Sequence, residues 1–187
     1  MSHRPLVPLV PLPRPGRRLH GTLVALVVLG LVVGCTAGGG GDGDESDASA
    51  VEEYDARVAE VDEVVRAVVG AALEELGGSA RGGGTGAHQL CGDGPRYTGA
   101  EYRASVDLSS LRAGGARTVE VLTGAFEAEG WTVEPGPTGL EADKDPLGAD
   151  LSSGAGGRQL VVRSGCVDTS HDTAVEIADR PAVDLGL

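Results

Sequence analysis

Aromatic side chains are scarce in this 187-residue chain: one Phe, one Trp and three Tyr. A core without large rings must be filled by Val, Leu and Ala, so burial per residue is modest. Lysine is scarcer still, Lys144 being the only one, and the chain carries 15 basic against 28 acidic residues, a net charge of −13. Nucleic-acid binding needs clustered Lys and Arg to displace counterions, so no nucleic-acid partner is expected. The same acidity repels anionic lipid headgroups, so any attachment to a membrane must come from an apolar anchor and not from surface charge. Also missing is an apolar run of the roughly 20 residues that a transmembrane helix needs.

A shorter apolar run is present. Residues 1–20 hold Arg4, Arg14, Arg17 and Arg18 and no acidic residue, and Thr22 to Val33 is almost wholly apolar. A positive stretch followed by a short apolar segment is the pattern of an export signal, with the charge retained on the cytoplasmic side. Arg17-Arg18 raises the twin-arginine route, but its flanks match that motif poorly, and the general secretory route is expected. The run ends in Val32-Val33-Gly34-Cys35. This tetrapeptide resembles the lipobox of bacterial prolipoproteins. The resemblance implies that the Cys35 thiol is acylated, that cleavage falls between Gly34 and Cys35, and that the mature chain begins at the modified cysteine. Two or more acyl chains would hold it stably on a membrane, where a single chain binds only marginally. The alternative is an uncleaved anchor with an incidental cysteine. Removing the leader leaves eleven basic residues against 28 acidic ones, a mature charge of −17.

The remainder divides by composition into a tether at 35–48, a domain at 49–168 and a tail at 169–187. Thr36 to Ala48 is rich in Gly, Asp and Ser, has no apolar residue larger than alanine, and reads as a flexible spacer. From Ser49, Val51, Tyr54, Val58, Val61, Val65, Val68, Ala72 and Leu76 recur at steps of three and four, which predicts an amphipathic helix. Ser49 and Glu52 form a capping-box pattern, and Gly77-Gly78 a stop. Ser79 to Ala87 reads as a Gly-rich loop, and His88 to Cys91 as a short strand. Tyr102, Ala104, Val106 and Leu108 alternate with polar residues, as in a half-buried strand. A second helix is predicted over 114–129, with Val119, Leu122 and Phe126 on one face, followed by strands near 131–134, 140–144, 149–152 and 158–163. The expected fold is α+β: two helices on one face of an antiparallel sheet of four to five strands, with one disulfide. Residues 169–187 are polar and are expected to be loosely held.

With Cys35 assigned to lipid, Cys91 and Cys166 remain, an even pair in an exported chain, and a disulfide between them is the expected state. Closing a 75-residue loop would stabilise the fold by about 4 kcal/mol in the chain-entropy model. The competing reading notes that His88 lies three residues before Cys91 and His171 five after Cys166. Two thiolates and two imidazoles would make a zinc or copper site.

Other motifs are incomplete. Gly82 to Gly86 lacks the Lys-Ser or Lys-Thr of a phosphate loop. Asp143, Asp145, Gly148 and Asp150 lack the closing Glu of a calcium loop. Ser170, His171 and Asp172 occur without a nucleophile elbow. The first helix could instead pair with a partner helix, but its Val and Ala seam makes a weak zipper. Taken together, the Val32-Val33-Gly34-Cys35 lipobox, the acidic spacer, the long helix, the strand after Cys91-Gly92-Asp93-Gly94, the Phe126 to Trp131 join and the late Cys166 resemble small cell-envelope lipoproteins of actinobacteria. That resemblance implies a lipid-anchored protein on the outer face of the cell membrane. It brings no catalytic residue and no cofactor. A non-enzymatic module that binds an envelope protein or wall component is expected. The alternatives are an extracytoplasmic metal binder using His88, Cys91, Cys166 and His171, and a hydrolase.

Overall fold

The computed structural model describes residues 42–94 and 96–187. The leader, the lipobox and Cys35 lie outside the described residues. The chain runs α1 (Asp42–Leu76), β1 (Arg81–Cys91), β2 (Gly99–Asp107), α2 (Gly115–Ala128), β3 (Thr132–Pro135), β4 (Gly139–Lys144), β5 (Leu147–Gly154), β6 (Gly157–Arg163), β7 (Val167–Asp168), α3 (His171–Ala178) and β8 (Val183–Asp184). All eight strands join one antiparallel sheet in the order β3-β4-β5-β6-β2-β1-β8, with β7 paired to β2. The α+β class, the antiparallel sheet and the disulfide are as expected; the strand count is higher.

Alternation along the strands explains the layering. In β2, Ala100, Tyr102, Ala104 and Val106 are buried while Glu101, Arg103, Ser105 and Asp107 are only partly so. Side chains of successive strand residues point to opposite faces. The register carries that division across the sheet: Ala104 lies beside Val162, then Ala149, then Ala142, and Val106 beside Leu160, then Leu151, then Leu140. These two apolar rows form the floor of the core. The helices cover it with Tyr54, Val61, Val65, Val68 and Ala72 from α1, Leu122 and Phe126 from α2, and Ala174 and Ile177 from α3. Phe126 meets Trp131 edge-on at 5.1 Å, so two of the chain's five aromatics meet just after α2 turns into β3. The sheet's other face is polar, which an antiparallel sheet tolerates when one side meets water.

Four expectations are corrected. First, α1 begins at Asp42 and not at Ser49, so residues 42–48 belong to the helix and Ser49 lies inside it. Glu45 and Asp47 suit the N-terminal part of a helix, where negative charge meets the positive end of the dipole. Second, the presumed loop at 79–87 is mostly strand. Gly82, Gly83 and Gly84 adopt φ of 72°, 74° and 79°, forming an irregularity that only glycine enters without strain, after which Thr85 to Cys91 pair continuously with β2. Third, the sheet has eight strands, among them the short β7 paired with β2 and the short β8 paired with β1. Fourth, residues 169–187 are not a loose tail. They form α3 and β8, and bury Ala174, Ile177 and Leu185. The end of α1 at Gly77, with φ 65°, is as the Gly77-Gly78 stop predicts. Among the described residues no helix is long and apolar enough to cross a membrane.

Candidate functional site

Cys91 closes β1, Gly99 opens β2 directly opposite, and Cys166 immediately precedes β7, which pairs with Gly99 from the other side. The Cys91–Cys166 disulfide therefore crosses over β2 at Gly99, with the Cα atoms 5.9 Å apart. A Cβ at position 99 would lie 2.6 Å from Cys166 Sγ and 3.0 Å from Cys91 Sγ. Glycine is what lets the bridge pass. The bond ties β1 to the segment that leads into α3, and the exposed Cys166 sits at the surface.

His88 and Cys91 belong to one strand but differ by an odd number of residues, so they project to opposite faces. Cys91 faces the open side with Gly99; His88 sits across from Tyr102 on the helix side. The Tyr54 hydroxyl and His88 Nδ1 share a hydrogen bond of 2.6 Å, and the His88 ring lies 5.2 Å from that of Tyr102. Tyr102 Oη donates to Asp62 at 2.9 Å, and Arg180 stacks 5.4 Å above the Tyr54 ring while pairing with Asp55 at 2.5 Å. Burial, then the Arg180 charge, pushes the His88 pKa below its ordinary value. Burial pushes both tyrosines up, with Asp62 adding to the effect on Tyr102. The cluster keeps its polar atoms satisfied between α1, β1 and β2, as buried polar groups must be. Gly86 makes it possible: a Cβ there would overlap the Tyr102 hydroxyl.

His171 stands elsewhere, at the first residue of α3, with Nδ1 2.9 Å from the Tyr97 carbonyl. Of the four residues grouped as metal ligands, the fold thus joins the two cysteines to each other and engages each histidine with a different partner. Among the described residues no group of three or more His, Cys, Asp or Glu is arranged to hold a metal ion.

A second polar junction was not legible in the sequence. Asp47 accepts from Thr169 Oγ1 at 2.9 Å, Ser170 N at 3.0 Å, Ser170 Oγ at 2.6 Å and Thr173 Oγ1 at 2.9 Å. Ser170 itself caps α3 by accepting from Thr173 N. The Ser170 hydroxyl, first among these donors, holds the Asp47 carboxyl well below the usual carboxylate range. One side chain in the expected spacer therefore clamps the expected tail. The only available signal was the Ser170-x-x-Thr173 cap.

The open face of the sheet is the remaining candidate surface. Arg163 pairs with Asp150 at 3.1 Å and Arg103 with Glu101 at 2.5 Å, so its cations are mostly spoken for. At one end of this face, between the β5–β6 hairpin and the ends of β2 and β6, lies a cleft of about 500 Å³ lined by Asp107, Thr138, Ser152, Gly157 and Gln159. Comparison with family models, curated proteins and solved structures gives no match to this chain.

Proposed function

We propose that this chain is an exported lipoprotein of the bacterial cell envelope, anchored through lipid on Cys35, whose domain acts as a non-enzymatic binding module. The observation that carries the reading is Val32-Val33-Gly34-Cys35 placed directly after a basic stretch and a dozen largely apolar residues. A distant feature supports the same address. A disulfide between Cys91 and Cys166 suits an oxidising compartment, where free thiols do not persist. Lipid on residue 35 would leave only six residues, 36–41, before α1 begins at Asp42. Fully extended, a spacer of that size reaches roughly 20–25 Å, so the module would stay close to the membrane.

The test is metabolic labelling. The full chain, expressed in a bacterium that processes lipoproteins, takes up an alkynyl fatty acid and is recovered from the membrane fraction. Cys35→Ser is expected to abolish both labelling and membrane recovery, while Cys91→Ser keeps the label. An unlabelled, soluble wild-type chain would overturn the reading, as would equal labelling of Cys35→Ser.

A further inference from the structure

We infer that the cleft at the end of the open sheet face is a binding site for a neutral, hydroxyl-rich ligand, a short glycan. The inference rests on the reading of the domain as a binding module and not on the lipid anchor. The floor of the cleft is a single register row. Asp107 on β2 pairs with Gln159 on β6, and Gln159 with Ser152 on β5. A carboxylate, an amide and a hydroxyl are thus set side by side at the strand spacing of about 4.8 Å. All three lie on the open face by parity, and Gln159 and Ser152 are exposed. Thr138, exposed in the β3–β4 connection, supplies a further hydroxyl at the rim. The volume of about 500 Å³ falls within the range of small-ligand sites.

The charges select the ligand class. Arg158 also borders the cleft, but its guanidinium is turned into the 108–113 loop, donating to Leu108 O at 3.3 Å, Ser109 O at 3.2 Å, Leu111 O at 2.9 Å and Ala113 O. Arg81 lies across from Asp107 on β1, on the side away from Gln159. Asp107 spends one oxygen on Ser109 N at 2.8 Å, and hydrogen bonding from Ser109 keeps its carboxyl below the ordinary value, so it is ionised at neutral pH. Among the described residues, the cleft lining therefore offers an anionic acceptor, an amide that both donates and accepts, and hydroxyls, with no unengaged cation; the nearest, Arg81, sits beyond Asp107 and outside the lining. An anionic ligand would meet the Asp107 carboxylate on the cleft floor, while Arg81 lies outside the lining and Arg158 is engaged by the 108–113 loop. Sugar hydroxyls both donate and accept, and they match this set of groups.

The test is saturation-transfer NMR on the detergent-solubilised full chain. The probes are N,N′,N″-triacetylchitotriose and maltotriose as neutral trisaccharides and trigalacturonate as the anionic one. Transfer to at least one neutral probe and none to trigalacturonate is expected. Gln159→Ala and Thr138→Val, both at exposed positions, should each weaken that binding roughly five- to tenfold, the loss of one or two neutral hydrogen bonds. An unshifted thermal midpoint checks that each variant is folded. Absence of transfer to both neutral probes overturns the inference. So does transfer unchanged in both variants, or stronger binding of the anionic probe. Cys35→Ser should bind the neutral probe as the wild type does, so this result and the labelling result stand or fall separately.

Discussion

The two faces of the sheet are built from the same strands and behave differently. On the helix side, Leu160, Val162, Ala104 and Val106 are at most 1 % exposed and lie in continuous apolar rows. On the other side, one residue away along each strand, Gln159, Val161, Arg163, Arg103 and Ser105 meet solvent to varying degrees. The difference separates a packed apolar core from a polar, solvent-facing surface. The helix side holds the core and admits little change. The open side carries ion pairs such as Arg163 with Asp150, and the disulfide crosses it at Gly99. Substitutions paired across the two faces should therefore separate folding from binding.

The largest effect is expected at Leu160, where truncation to Ala leaves a cavity among apolar neighbours. It should cost about 2–5 kcal/mol in denaturant unfolding, while Gln159→Ala, its neighbour on the open face, stays within about 0.5 kcal/mol. Equal losses at both positions would erase the distinction between the faces. Next comes the open face's own fastening. Replacing Cys91 and Cys166 together by Ser should lower stability by about 2–4 kcal/mol, and a reducing agent should destabilise the wild type but not the double variant. Smaller again is Gly86→Ala, on the helix side, which must displace the Tyr102 hydroxyl and its bond to Asp62. A loss of about 1–3 kcal/mol is expected from this crowding; an unchanged midpoint would mean that the tyrosine moves freely.

The smallest effect is at the rim, where Asp47 holds α3. Its folded carboxyl titrates below the ordinary value of 3.8, mainly through the Ser170 hydroxyl. The ionised form thus favours the folded chain, and its contribution is intact above the unfolded pKa and lost as pH falls through the folded one. Asp47→Asn should weaken hydrogen-exchange protection of α3 at neutral pH, with the difference from wild type narrowing below about pH 4. A difference that grows on acidification would reverse the sign of this argument.

Much of the helix side was legible from periodicity alone. Tyr54, Val61, Val65, Val68 and Ala72 recur at helical steps, and Tyr102, Ala104 and Val106 alternate, because each pattern marks one buried face. The glycine tract at 82–86 carried no such mark. It has no side chains to alternate, and its left-handed residues break the ladder before pairing resumes. The third helix escaped because two buried residues, Ala174 and Ile177, are too few to show a period. Its position depends on Asp47, more than 120 residues away. The pairing of Cys91 with Cys166 followed from counting cysteines in a chain read as exported. The neighbourhood of His88 did not, since residues three apart on a strand look adjacent in sequence and are separated by the sheet. The cleft row of Asp107, Gln159 and Ser152 is a product of register, which no local pattern specifies.

Lipid on one cysteine and a bond between the other two form the central claim, and intact-mass spectrometry of the membrane-extracted protein after thiol alkylation tests it most directly. The expected chain begins at Cys35, carries a diacylglyceryl group or larger lipid, and takes up no alkylating agent until it is reduced, when Cys91 and Cys166 both react. A chain that retains residues 1–34 without lipid, or one alkylated at Cys91 and Cys166 before reduction, would contradict it.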